Sequence, residues 1–412
     1  MAWTPPERPR WVERLIAHGE AAGGAARLIS LDQDQLIESA MASTGLDDFG
    51  DFEGGAWRDD YAVLMRSLDE EAQMHAAGRL VTRTEILQTL RNRLQLAELW
   101  KRRPELLATE IDSPVFIVGS PRSGTSILHE LMAADPSTRS PAMWEMQHPV
   151  AAVEGDDERA ELCDRVTQFW HDLQPEYETM HANSGYLPNE CIFITAHEFL
   201  SDHWGGNHVA PSYSAHLAAE DQHRAYRFHR RFLATLQAAR TERRWLLKAP
   251  SHLFQLPTLF DVYPDARIVR THRDPLKTLA SSINLMGTLK WMRCSNVDMS
   301  EAAELLPLGY AYIFRKEIDQ RADGTLPDDR FIDVQFRDLV RSPMETVAGV
   351  YERLGWELSD ETRRRVAEYA HAKPKDSRGA HRYSLESTGL DAATERDRFA
   401  FYMDAHGIEP EA

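Results

Sequence analysis

The chain has 412 residues, 42% of them hydrophobic and 27% charged, and a formal net charge of −18. This length suits one large α/β domain with an appendage, or two domains. The acidic balance argues against a nucleic-acid partner, which asks for a basic face. The three cysteines, Cys163, Cys191 and Cys294, are far apart and odd in number, so neither a disulfide framework nor a CxxC metal pair is implied. The first residues lack an apolar signal core, and no apolar run is long enough to span a bilayer. The expectation is a cytoplasmic protein without stable membrane insertion.

Residues 1–110 read as an N-terminal helical cap, and residues 111–412 as the α/β domain that follows it. Residues 82–85, Thr-Arg-Thr-Glu, have the form of a capping box. After them Ile86, Leu87, Leu90, Leu94 and Leu99 recur at helical spacing. No chemistry is legible in this stretch.

Residues 115–132 organise the rest of the chain. Val115 to Val118 is a β-branched, apolar run suited to a strand buried on both faces. Gly119 and Gly124 bracket a sharp loop, and Thr125 or Ser126 caps a helix whose Ile127, Leu128, Leu131 and Met132 share one face. Free backbone N–H groups at such a helix start bind anions. The spacing is that of a nucleoside-triphosphatase P-loop, but Thr125 stands where the lysine belongs and Arg122 sits inside the loop. A phosphate cradle with different chemistry is implied.

Residues 121–126, Pro-Arg-Ser-Gly-Thr-Ser, after a hydrophobic strand resemble the phosphosulfate-binding loop of sulfotransferases. These enzymes use 3′-phosphoadenosine-5′-phosphosulfate (PAPS). The resemblance implies a P-loop-like α/β core with a central parallel sheet flanked by helices. It also implies that Arg122, Ser123, Gly124, Thr125 and Ser126 hold the 5′-phosphosulfate. In tyrosylprotein and heparan sulfotransferases a glutamate after the loop helix is the general base, and Glu145 matches it by position.

Residues 154–240 read as mainly helical. His197 and His203 lack the His-Glu-x-x-His zinc spacing, so no metal site is expected. Arg244 to Lys248 is a second buried strand, which puts Lys248 at the strand end where open α/β sheets bind ligands. Sulfotransferases place a lysine there, on the bridging oxygen. Their small-molecule members put a base histidine two residues later. Here His252 is four residues on, as a second candidate base or an acceptor contact.

Ala266 to Val269 reads as a short strand. Asp274 and Pro275 then form an N-cap and first-turn pair. Arg273 stands at that helix start, and Ser281 follows eight residues later, as in the sulfotransferase 3′-phosphate signature. Phe331 to Phe336 alternates like a strand. Ser342 to Glu345 has the form of another capping box, opening a helix that Gly355 ends. Residues 373–383 form the most basic loop, and the resemblance gives Arg378, Gly379 and Arg382 the closing of the 3′-phosphate site.

The combined reading is a PAPS-dependent sulfotransferase. It acts on a hydroxyl, or an amine, of a small-molecule, glycan, lipid or peptide acceptor and needs no metal. The rival readings are a P-loop small-molecule kinase or phosphotransferase, which would need magnesium, and a non-catalytic nucleotide-binding scaffold. No Gly-x-Ser-x-Gly elbow supports a serine hydrolase.

Overall fold

Five short parallel strands lie side by side in the order β2-β3-β1-β4-β5 in the computed structural model of the chain. They are β1 (Val115–Val118), β2 (Thr138–Arg139), β3 (Arg244–Lys248), β4 (Arg267–His272) and β5 (Phe331–Gln335). The structure describes residues 3–411 except 157, 182, 239, 241–243 and 373–384. The register sets Ile117 beside Lys248 on one side and Val269 on the other.

All four residues of β1 are buried, which is why its run is apolar without alternation. Its side chains still divide by parity. Val115 and Ile117 pack with Leu128, Leu131, Met132 and Tyr351, while Phe116 and Val118 pack with Phe228, Phe232 and Leu279. Helices therefore cover both faces. The ones that matter here are α1 (Ala76–Arg102), α2 (Thr125–Ala133), α3 (His223–Gln237), α4 (Pro275–Trp291), α5 (Pro343–Leu354) and α6 (Ala392–His406). Among the described residues no helix is long and apolar enough to cross a membrane.

After β1 the chain builds β2 and β3 on one side, and only later β4 and β5 on the other. Strand order thus reverses at β1, and its carboxyl end is the crevice where such sheets take ligands.

Among the described residues four α-helices, Arg10–Ala21, Ala25–Leu28, Gln33–Thr44 and Trp57–Glu70, precede α1. Leu36, Trp57, Tyr61 and Leu64 pack with Ile86, Leu90 and Leu94 of α1, and with Phe199, Trp204 and Tyr213. This core is shared between the first hundred residues and the middle of the chain.

Local signals differ from expectation at several ends. Helix α1 starts seven residues before the expected capping box, because the His75 ring accepts from the Gly78 N–H at 3.0 Å. Thr82 lies inside the helix, buried against His208. Gly124, in left-handed conformation, precedes α2 instead of a side-chain cap. Ile127 is exposed, whereas Leu128, Leu131 and Met132 are buried as expected. Ser342 makes no side-chain cap, although α5 does end at Gly355 with φ 70°. Strand β4 runs on to His272, further than the expected Ala266 to Val269.

Candidate active site

The loop between β1 and α2 is shaped by two crowded glycines. A Cβ on Gly119 would stand 2.2 Å from the Thr271 hydroxyl and 2.5 Å from that of Ser123. Gly124 has φ 96°, and a Cβ there would meet Phe336 at 2.8 Å. The Ser123 hydroxyl locks the turn, on Ser120 O at 2.6 Å and the Thr271 hydroxyl at 2.7 Å. Arg122 takes φ 68°, a left-handed backbone that is uncommon for a side-chain-bearing residue. The turn points the first N–H groups of α2 at the carboxyl end of the sheet, and the helix dipole lies behind them.

Lys248 ends β3 beside this loop. It is 2% exposed. Its ammonium donates to the Ser126 hydroxyl at 3.2 Å and to Glu190 at 2.6 Å. The Glu190 side chain is 16% exposed and reaches solvent where Lys248 does not. Two bonds set its place: Cys191 N donates to Lys248 O at 2.9 Å, and Glu190 N donates to Asn189 Oδ1 at 2.8 Å. His181 Nε2 lies 3.9 Å from the same carboxylate. Burial pushes the Glu190 carboxyl up, but Lys248 and His181 outweigh it and hold the group below the usual glutamate range. Burial pushes His181 down to about 4, and Lys248 acts the same way. At neutral pH this is an ionised carboxylate 3.9 Å from a neutral imidazole.

A second cluster forms where β4 meets α4. Asp274 caps α4 through the Leu276 N–H at 3.0 Å, and Pro275 is its first residue. Arg122 Nε donates to the Ser281 hydroxyl at 3.0 Å, and its Nη1 donates to Met180 O at 2.9 Å. Arg273 Nη1 donates to Arg122 O at 2.9 Å, and the guanidinium lies 3.9 Å above the Phe336 ring. Arg122, Arg273 and Ser281 thus form one basic group. The guanidinium of Arg122 lies against Ser281, whereas the resemblance implied a place on the 5′ side.

Two expected base candidates sit elsewhere. Glu145 is 2% exposed. Arg139 holds it through two bonds, at 2.7 and 2.9 Å, and Ala142 N donates to it at 2.8 Å. Those bonds take three of the carboxylate's roughly four acceptor sites, and Arg240 Nε lies 3.5 Å from Oε1. The His252 ring is enclosed by Phe116, Tyr226 and His229, with Nδ1 2.6 Å from the Tyr226 hydroxyl. Burial drives its pKa well below the ordinary histidine value. It is a core residue. Arg378, Gly379 and Arg382 lie outside the described residues.

The sequence reading missed Glu190 and His181. Both fall in an irregular stretch around Pro188 with no periodicity. The one local signal is an acidic residue directly before the apolar run from Cys191 to Ile194.

Among the described residues, His272, Asp333 and His406 have potential ligand atoms within 4.8 Å of one another. Both His272 nitrogens are engaged, by Tyr402 and Asp333, and Arg321 grips Asp333 through two bonds. A dication there would face Arg321, which pairs with Asp333; burial pushes His272 down to about 3 and His406 to about 4, so both rings stand beside that ion pair as neutral imidazoles.

A model of the sulfotransferase family matches residues 114–360. The structure resembles that of sulfotransferase STF9 from Mycobacterium avium, with a TM-score of 0.78 and 25% identity over 92% of this chain and 98% of that one. Sulfotransferase STF1 from Mycobacterium tuberculosis H37Rv aligns with a TM-score of 0.71 and 30% identity, over 90% of this chain and 98% of that one. A curated relative, the omega-hydroxy-beta-dihydromenaquinone-9 sulfotransferase Stf3 of Mycobacterium bovis, is 24% identical over 254 residues. That match spans 59% of this chain and 63% of the relative's length.

Proposed function

The chain belongs to the sulfotransferase family, and we propose that it transfers a sulfuryl group from PAPS to a hydroxyl acceptor. The observation that carries this reading is the meeting of Lys248, Ser126 and Glu190 at the mouth of the 119–124 loop. Beside that loop, Arg122, Arg273 and Ser281 form a separate basic group. A donor with anionic groups at two separate positions needs two basic subsites.

Each residue then has a role. The backbone N–H groups of residues 123–126 hold the 5′ group at the start of α2. Arg273, Ser281 and Arg122 hold the 3′-phosphate, which selects PAPS over ATP. Lys248 stabilises the negative charge that grows on the leaving phosphate oxygen. Glu190 is the general base, in place of Glu145. The acceptor oxygen bonds to sulfur as its proton passes to Glu190. The bond from sulfur to the bridging oxygen breaks, and its electron pair stays on the phosphate oxygen facing Lys248. The products are a sulfate ester and 3′-phosphoadenosine-5′-phosphate (PAP). Drawing Lys248 onto the donor loosens its grip on Glu190, so the base is released when the donor is in place.

Ile127 and Tyr186 are exposed large hydrophobics, one residue past Ser126 and four before Glu190. Together with the curated relative's name, they support an apolar, lipid-like alcohol as acceptor. Incubation with sulfur-labelled PAPS and pooled lipid, phenol, glycan and peptide alcohols tests the activity. PAP should raise the melting temperature while ATP does little, since ligand at a hundredfold over Kd adds about 2.7 kcal/mol. Equal shifts from the two nucleotides would sink the assignment.

A further inference from the structure

The guanidinium assigned above to the 3′-phosphate already holds an anion from this chain. Arg273 Nε and Nη2 each donate to the Glu411 carboxylate at 2.8 Å, a two-bond grip of the kind arginine makes on phosphate. The Glu411 side chain is 32% exposed, against 15% for Arg273, so the carboxylate covers the guanidinium from the solvent side.

The contact is built into the segment that follows α6. Gly407 ends that helix with φ 61°, and Ile408 is buried, its N–H bonded to Met403 O at 2.9 Å. Gln335 at the end of β5 donates to His406 O at 2.8 Å, and Arg337 pairs with Glu409 at 2.6 Å. Glu411 N donates to Asp274 at 2.8 Å, and Arg396 of α6 holds that same carboxylate through two bonds. Glu411 is thereby held at the amino end of α4, where dipole and arginine together favour an anion.

We propose that Glu411 is a resident competitor in the 3′-phosphate subsite, and that nucleotide enters by exchanging phosphate for this carboxylate on Arg273. The proposal rests on the sulfotransferase reading of the site. It gives Glu411 a specificity role. A dianionic 3′-phosphate outbids one carboxylate for the guanidinium. A nucleotide without that phosphate leaves the pair closed and gains nothing from Arg273. Apparent affinity for PAP is lowered by the fraction of molecules in which the pair is closed.

Titration calorimetry with PAP and with ADP, on the full chain and on Glu411→Gln, tests this. The variant should bind PAP about tenfold more tightly, with ADP affinity unchanged. Glu38→Gln removes an exposed acid of the helix Gln33–Thr44 that does not touch Arg273, and should leave both affinities as they were. Equal PAP affinity in the full chain and Glu411→Gln overturns the proposal alone. Weaker PAP binding by the variant also overturns it, because Glu411 would then position Arg273 for the phosphate. Failure of both proteins to bind PAP removes the nucleotide reading, and this proposal with it.

Discussion

Arg93 and Arg273 both hold a carboxylate and both lie against an aromatic ring, yet they sit in regions built for different ends. Arg93 on α1 bonds Glu198 at 2.5 Å and His197 O at 2.6 Å, with its guanidinium 4.5 Å from the Trp57 ring. Neither Arg93 nor Glu198 has any side-chain exposure. Arg224 Nε lies 3.2 Å from the second Glu198 oxygen, an ion pair without a hydrogen bond. Arg273 stands at a helix start beside a glycine-shaped loop, and its partner Glu411 is open to solvent. A buried arginine is thus no sign of a ligand site in itself. What sets Arg273 apart is a partner that is 32% exposed and a helix start beside it.

Removing each guanidinium should separate the two regions. Arg93→Ala leaves the interior of the helical layer with an unbalanced acid and a cavity. Breaking a buried pair of this kind costs about 3–5 kcal/mol, the largest effect expected here. Denaturant unfolding should show that loss, and PAP binding by the surviving folded fraction should be normal. An unchanged midpoint would mean that Arg224 alone satisfies Glu198.

The next effect belongs to the chemistry. Glu190→Gln, nearly isosteric, should lower kcat by at least about a hundredfold and leave PAP affinity within a few-fold. Glu145→Gln should instead lower stability, through Arg139, with little change in kcat. If the two results are reversed, the base is Glu145 after all. The pH profile sharpens the same point. The Glu190 carboxyl lies below the usual glutamate range, so the base stays ionised as pH falls through that range. The acid limb of kcat/KM, which reports the free enzyme, should therefore fall below the range of an ordinary glutamate. A limb near the histidine range would point to His181.

Arg273→Ala comes third. It removes a charge-assisted contact worth about 1.5–3 kcal/mol and should weaken PAP while leaving ADP unchanged. Folding stability should move little, because Glu411 is left exposed to water. That contrast with Arg93→Ala is read by measuring both variants in the same melting and binding assays. If PAP and ADP weaken together, Arg273 supports the loop through Arg122 O and does not read the 3′ position.

Much of the half proposed to bind nucleotide was legible in the sequence because it consists of strand ends and helix starts. Lys248, Asp274 and Ser281 fall at places that an apolar run, a cap or a spacing determines. The surroundings of Glu145, His252 and Glu190 depend on tertiary partners. Glu145 follows the loop helix as a base should, but Arg139, at the end of a strand only two residues long, captures it. His252 lies past the lysine in sequence, yet the turn at Pro250 sends it under the sheet against Phe116. Glu190 reaches Lys248 across 58 residues through a loop with no repeating pattern. Ile127 follows the apolar stripe of α2 but lies in its first turn, at the open end of the crevice.

The smallest expected effect is none at all. In a P-loop triphosphatase, magnesium and a loop lysine balance the charge of the transferring phosphate. Here the loop position of that lysine is Thr125, which is buried. The cations near the loop come from side chains, Lys248 at the end of β3 and Arg122 and Arg273 at the amino end of α4. A sulfuryl group carries less negative charge than a phosphoryl group, so under the proposed mechanism a single ammonium facing the leaving oxygen would meet the demand. Turnover of labelled PAPS should be the same in excess chelator and in millimolar magnesium. The comparison of regions supplies the control: Arg93 and Glu198 have no exposure to any added ion, so unfolding should be equally indifferent. Activity lost to chelator and restored by magnesium, with stability unchanged, would place a metal at the loop and return the phosphotransferase reading to first place.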